Sequence, residues 1–265
     1  MKSKLFKRAV VLLSMVMLLS MAACGAKEDP NAVFDEAIAK NSKLTDMDTT
    51  MNMKMKMAAG AISMDIDTVM DMKASQLNTA QMLYLADMDM TLDMSGTSQS
   101  VNTRTFYKDG YCYMESMGMK MKYAMDLSSM MDALNQSTDV ANMSSSDLKE
   151  LSLEKNGDNR ILTFTADPAK MNDQMKSVLG AVGDELTASS DVQINVTEIS
   201  GKYVINKDGY YTDVTINMVY DMSMMGMSFD VTGDVNMKVN NPGKPVTVTL
   251  PDTEGYEEVD MSNLY

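Results

Sequence analysis

The sequence predicts an α+β protein that is mostly β, built on an antiparallel sheet with one apolar and one polar face. Between Met47 and Met57, methionines alternate with polar residues. Successive side chains of a strand point to opposite faces, so this period of two makes one face a row of thioethers. Asp-Gly dipeptides join segments in which apolar and polar residues alternate, as in β-hairpins. Segments whose apolar residues recur with the period of a helix lie between two groups of such alternating segments.

The alternating pattern recurs along both halves of the chain. In the first half, it predicts strands at 47–57, 62–73, 82–94, 100–108 and 111–123. A hairpin at 150–155 and 160–166 follows, and further strands are predicted at 192–196, 202–206, 210–222, 227–237 and 246–250. Short turns between these segments predict an antiparallel sheet with one wet face.

Three segments have the pattern of amphipathic helices. Asp29-Pro30 combines an N-cap residue with proline at the first helical position, which predicts a helix over 30–42. Apolar residues at i, i+3, i+4 and i+7 predict a second helix over 126–136. Asp167-Pro168 repeats the first device and opens a third helix whose apolar positions run to Val182.

The N-terminal 23 residues have the features of a secretory signal peptide. Four basic side chains precede an apolar run from Ala9 to Leu19, and small residues lead to Cys24. The end of this segment, Leu19-Ser20-Met21-Ala22-Ala23-Cys24-Gly25, resembles the lipobox of bacterial lipoproteins, with Met21 where leucine is most common. The resemblance implies a diacylglyceryl group on Cys24, residues 24–29 as a lipidated tether, and a single domain over 30–265.

Composition excludes several functions. Four of the 23 basic residues and none of the 37 acidic residues lie in 1–23, so the remaining chain carries a net charge of −18. Such a surface repels nucleic acid. Histidine is absent, and Cys112 has no partner for a disulfide once Cys24 is acylated. No nucleophile–base or phosphate-binding motif is present, so we predict no enzyme activity, no catalytic residue, no cofactor and no metal site.

The order of elements resembles the LolA-like fold. Within that fold, the chain is similar to small Gram-positive lipoproteins of unassigned function and to lipid-carrying lipoproteins of the LppX/LprG type. The most specific local likeness is Phe106-Tyr107-Lys108-Asp109-Gly110-Tyr111-Cys112-Tyr113, followed by Gly118-Met119-Lys120-Met121-Lys122. Met119 or Met121 replaces the tryptophan usual near the second strand. The resemblance implies a curved antiparallel half-barrel of about 10–12 strands that cups a lid of about three helices, with a cavity for acyl chains.

Taken together, these features predict a lipoprotein on the extracytoplasmic face of the membrane that binds an apolar or amphiphilic, lipid-like ligand. Flexible, polarizable methionine suits ligands of variable shape. The residues expected to line the concave, ligand-binding face are Met51, Met53, Met55, Met64, Met70, Met72, Met88, Met90, Met218 and Met222. The partners are this ligand and, through Cys24, the membrane; the sequence identifies no protein partner.

Three alternatives stay open at this point. The methionines could be ordinary core beneath fully packed helices. The polar face could instead serve a structural or sensory role through protein partners. Met-x-Met runs such as 51–55 and 117–119 could bind Cu(I), because thioethers favour that ion. Two aspartate pairs, Asp65/Asp67 and Asp87/Asp89, could be proposed for calcium, but they match no calcium loop and are interpreted as solvated strand faces.

Overall fold

The computed structural model describes residues 28–60, 62–94, 96–131, 143–173, 193–224 and 226–260. Within them, twelve strands form one open, curved sheet, at the upper end of the predicted number. The strands are β1 (Met47–Ala59), β2 (Ile62–Ser75), β3 (Leu83–Met94), β4 (Thr97–Lys108), β5 (Tyr111–Ser116), β6 (Met119–Ala124), β7 (Leu148–Asn156), β8 (Asn159–Ala166), β9 (Gln193–Ile205), β10 (Tyr211–Met224), β11 (Met227–Val239) and β12 (Glu257–Glu258).

The sheet consists of two antiparallel meanders joined side by side. Its order is β12-β6-β5-β4-β3-β2-β1-β11-β10-β9-β8-β7, so the first and last long strands, β1 and β11, pair at the centre. Neighbouring strands are antiparallel except β12, which pairs with β6 in parallel. Asp109-Gly110 forms the turn between β4 and β5 with positive φ at both residues, as the sequence predicts.

Helix α1 (Pro30–Asn41) confirms the first predicted helix. The Asp29 carboxylate accepts a hydrogen bond from the Asn31 N–H at 3.1 Å, which satisfies one of the free donors at the helix start. Residues 127–131 and 168–173 are also helical. The remainder of the other two predicted helices, 132–136 and 174–182, lies outside the described residues.

Helix α1 packs on the half of the sheet formed by β8, β9 and β10. Phe34 lies 5.5 Å from Tyr203, centroid to centroid, and Tyr203 stacks on Phe164 at 5.3 Å. We call this cluster the helix-covered core. Its buried members are Val33, Phe34, Ala37, Met143, Leu162, Phe164, Ala166, Met171, Val196, Ile199, Tyr203, Ile205 and Val214.

The predicted single strand over 111–123 is wrong. Residues Met117 and Gly118 both have positive φ and divide it into β5 and β6. Glycine adopts this conformation without steric cost, so the pair turns the chain although the alternation of apolar residues continues through it.

The predicted separation of 192–196 from 202–206 is also wrong, because both belong to β9. Gly201 lies inside this strand and faces the Phe164 ring across the ladder. A Cβ atom at Gly201 would lie 2.6 Å from Phe164 Cε1. The glycine therefore marks a close approach of side chain to backbone, which is one of its uses in strands.

The predicted strand at 246–250 is wrong as well. The segment is not part of the sheet, although the Val246 N–H donates to Asp46 at 3.2 Å. Pro245 and Pro251 lack the N–H groups that a ladder needs.

The C-terminal segment covers the polar side of the sheet near β4 and β5. Its Tyr256 ring packs edge-on against Phe106 and Tyr113.

Candidate functional site: a methionine surface

The strand register places all ten predicted methionines on one face of the sheet. Residues directly opposite each other in an antiparallel ladder share a face. Met51 lies opposite Met70 on one side and Met237 on the other, and Met70 lies opposite Met88. The same ladders carry this face through Val214 to Tyr203, so it is also the face that α1 covers.

The ten methionines do not have the same surroundings. Met55, Met64 and Met222 pack around the buried residues Met57, Phe229 and Val231, and Met218 packs against the helix-covered core. The other six lie on β1, β2 and β3 and are only partly buried. They belong to no cluster of buried residues within the described ranges. We call these six the methionine patch: Met51, Met53, Met70, Met72, Met88 and Met90.

Packed clusters surround the methionine patch on three sides. The helix-covered core lies beyond β11, and the Met57 cluster lies toward one end of the strands. At the other end, Met130 of the helical segment 127–131 is buried with Ala74 and Tyr107. Given strand spacings of about 4.8 Å and a rise of about 3.3 Å per residue, the patch measures roughly 13 Å by 10 Å.

This face carries no charged side chain on β1, β2, β3, β10 or β11, as far as their described residues extend. The charges of these strands all point to the opposite face. There Lys54 pairs with Asp67 at 3.5 Å, and Lys73 pairs with Asp48 at 3.9 Å. These exposed ion pairs contribute little to stability, but they make the outer face polar and well hydrated.

One polar residue of the methionine surface was missed by the sequence reasoning. Thr68 lies on β2 directly opposite Met53 on β1 and Met90 on β3. It is 5% exposed, and its hydroxyl has no hydrogen-bond partner among the described residues. Threonine is a common β-branched residue in strands, so its presence in an alternating segment carries no signal. Only the strand register shows that Thr68 lies between two methionines.

Two cavities among the described residues are lined by residues other than the ten methionines. One, of about 430 Å³, lies on the outer face between Asp48, Asp71 and Asp87. The other, of about 190 Å³, lies beside α1 near Lys40 and Arg160. No group of three His, Cys, Asp or Glu residues in the described ranges is arranged to hold a metal ion.

Cys112 lies on the methionine side of the sheet, between Tyr107 and Tyr123 on the neighbouring strands. It is 3% exposed and forms no disulfide. Burial raises the pKa of its thiol. A buried thiol whose pKa is raised is a poor nucleophile.

The lipidation residue Cys24 lies outside the described residues. The nearest described residue, Glu28, is fixed to the sheet edge. Its carboxylate accepts hydrogen bonds from Arg160 at 2.9 and 3.1 Å and pairs with Lys155 at 3.4 Å. The hydrogen bond from Arg160 is the main cause that lowers the pKa of Glu28.

In the part of the chain that is described, no helix has the length and apolarity to span a bilayer.

Comparison with solved structures gives distant matches. LprF from Mycobacterium bovis aligns with a TM-score of 0.42 and 12% identity over 84% of this chain and 96% of its own. The Mycobacterium tuberculosis lipoprotein LppX aligns with a TM-score of 0.38 and 13% identity over 84% of this chain and all of its own. A search of curated proteins found no match.

Comparison with protein families gives a match over most of the chain. The matched residues, 29–253, begin at the N-cap of α1 and end beyond β11, so they include eleven of the twelve strands. The chain belongs to the family of unknown function DUF6612.

Proposed function

We propose that this protein is a non-catalytic lipoprotein, anchored through Cys24 to the extracytoplasmic face of the membrane, that binds an apolar, lipid-like ligand on the methionine patch. The observation that carries the proposal is the contrast in burial on one sheet face. Six adjacent methionines stay partly exposed while clusters on three sides are fully packed. Adjacent thioether side chains that are partly exposed offer a flexible apolar surface for a ligand to contact.

The chemistry of the patch favours a hydrocarbon ligand. Burying a methylene group contributes about 0.8 kcal/mol, so a chain of about ten carbons could contribute several kcal/mol before ordering costs. Thioether side chains are flexible, so the patch can adapt to branched or unsaturated chains. The absence of charge on this face of the described central strands avoids any desolvation penalty.

The direct test introduces charge into the patch. We expect Met53→Asp/Met90→Asp to abolish lipid that co-purifies with the wild-type protein, measured by native mass spectrometry. The matched control is Met117→Asp/Met227→Asp, two methionines that are 75% and 45% exposed and lie outside the patch. Lipid content unchanged in the first variant, or lost equally in both, would contradict the proposal.

Anchoring has its own test. Replacing Cys24 with alanine removes the acyl acceptor, and two or three acyl chains are what hold a lipoprotein at a bilayer. We expect Cys24→Ala to move the protein from the membrane fraction to the medium, measured by immunoblotting of fractionated cells. Retention in the membrane fraction would contradict acylation at Cys24.

A second candidate function has one observation in its favour. The ladders align Met237, Met51, Met70 and Met88 across four adjacent strands, which brings several thioethers close together. Soft thioethers bind Cu(I). Copper titration of the purified protein decides the matter: micromolar or tighter Cu(I) affinity that Met51→Leu/Met70→Leu removes would favour this function over lipid binding.

A further inference from the structure

Among the described threonines of the sheet, only Thr68 has a hydroxyl that is buried and has no hydrogen-bond partner. Other hydroxyls have partners, such as Thr91 with Ser100 at 3.2 Å and Thr103 with Ser116 at 3.0 Å. Thr68 is buried between Met53 and Met90, at one end of the methionine patch, and its hydroxyl has no partner among the described residues. A buried hydroxyl without a partner costs free energy, and valine would fill the same strand position without that cost.

The neighbours of Thr68 define what could complete its hydrogen bond. Met53 and Met90 lie directly opposite it, and Ile66 and Met70 are the next residues of β2 on the same face. Thioethers are weak acceptors, and the structure shows no hydrogen bond from Thr68 to either methionine. A stronger partner therefore has to come from outside this surface.

The charge pattern narrows the class of that partner. No described residue of this face on β1, β2, β3, β10 or β11 is charged, so a carboxylate or phosphate seated at Thr68 would be buried without a counter-charge. An uncharged carbonyl oxygen has no such penalty. It can accept a hydrogen bond from the hydroxyl while the attached hydrocarbon contacts the thioethers.

We propose that Thr68 is the polar anchor of the methionine patch and donates a hydrogen bond from Oγ1 to the ester carbonyl of an acyl ligand. The inference rests on the proposed function and adds to it the chemical class, a neutral acyl ester. Met53 and Met90 move aside as the ligand enters, because their unbranched side chains have several accessible rotamers.

The experiment compares an ester with a hydrocarbon that has the same number of carbon atoms. Methyl laurate and tridecane, both delivered from methyl-β-cyclodextrin, compete with the fluorescent probe N-phenyl-1-naphthylamine bound to the full protein. The variants are Thr68→Val and, as a matched control, Thr91→Val. Thr91 is on the neighbouring strand and opposite face, and its hydroxyl already has a partner in Ser100.

In Thr68→Val, the affinity for methyl laurate is expected to fall roughly threefold to tenfold, the loss of one hydrogen bond, while tridecane binds as before. The melting temperature of the ligand-free variant is expected to rise, since an unpaired hydroxyl has been removed. Thr91→Val leaves the ratio of the two affinities unchanged.

Three outcomes would overturn the inference. Equal displacement by methyl laurate in wild type and Thr68→Val removes the anchor but leaves lipid binding intact. A lower melting temperature with loss of both ligands shows that Thr68 is structural. Failure of both ligands to displace the probe from the wild-type protein refutes the proposed function itself.

Discussion

The helix-covered core and the methionine patch occupy the same face of one sheet, yet they are built differently. The core uses Phe34, Leu162 and Phe164, each 2% exposed or less, beneath a helix. The patch uses Met51, Met70 and Met88, each partly exposed, in strands of equal regularity. Bulky, stiff side chains hold the fold, and flexible ones occupy the surface on which we propose that a ligand binds. Under this proposal, one apolar sheet face serves stability in one half and binding in the other.

The largest expected effect separates the two regions by truncation. Phe164→Ala should lower the free energy of unfolding by about 3–5 kcal/mol, because it leaves a cavity in a packed site. Met53→Ala should cost about 1 kcal/mol or less, because its side chain is partly exposed and belongs to no buried cluster. Urea denaturation of both variants measures the contrast. Equal decreases in the free energy of unfolding would show that the methionine patch is part of the packed core.

The next effect is a loss of stability in alkali. Burial raises the pKa of Tyr203 to about 12 and also raises that of Tyr211. A phenol whose pKa is higher in the folded state contributes stability that is complete below its unfolded pKa of about 10 and is lost as pH rises through about 12. The Tyr203 contribution is on the order of 2–3 kcal/mol.

We therefore expect the free energy of unfolding of the wild-type protein to fall between pH 10 and 12, and Tyr203→Phe to reduce this slope. Tyr211 and the other groups whose pKa burial raises, such as Tyr84 and Tyr220, contribute to the remainder of the slope. The control is Met53→Leu, a change in the patch, which should keep the wild-type profile. Identical profiles for wild type and Tyr203→Phe would show that Tyr203 is not buried in the core.

A smaller effect is expected from alanine substitutions at two glycines on the methionine side of the sheet, Gly201 and Gly233. A Cβ atom at Gly201 would meet the Thr215 carbonyl oxygen and the Phe164 ring, so Gly201→Ala should cost about 1–3 kcal/mol. A Cβ atom at Gly233 would lie 3.4 Å from the Met218 methyl carbon, which can move. Gly233→Ala should be close to neutral. Thermal denaturation that ranks the two variants in the opposite order would contradict the contrast.

The smallest effect on stability is expected for Met51→Leu/Met70→Leu/Met88→Leu. Leucine has nearly the volume of methionine, so the three changes together should alter the free energy of unfolding by about 1 kcal/mol or less. The branched side chains adapt less well, so the range of bound acyl chains should narrow. Native mass spectrometry of co-purified lipid measures that range, and an unchanged lipid profile would show that flexibility is not needed.

Much of this arrangement is readable from local sequence. A period of two assigned every predicted methionine to a face, because one ladder position cannot change face without shifting the whole strand. Asp109-Gly110 marked a turn through the positive φ that glycine permits. The helix at Asp29-Pro30 followed from its cap.

The remaining features depend on contacts between distant residues. The pairing of β1 with β11 joins Met51 to Met237, and no turn between them signals it. Gly201 reads locally as a break, and only the opposing Phe164 shows that the strand continues. Thr68 is a polar residue whose isolation depends on both neighbouring strands. Registers of this kind arise from tertiary packing, which a single sequence does not display.

The most direct test of the central claim observes the methionine methyl groups themselves. Two-dimensional NMR of protein labelled with ¹³C at the methionine methyl carbons, titrated with methyl laurate, reports each site separately. We expect the shifted resonances to be those of the methionine patch, and those of Met117 and Met119, which are 75% and 59% exposed, to stay unchanged. Shifts confined to such exposed methionines, with the patch unaffected at saturating ligand, would contradict this expectation.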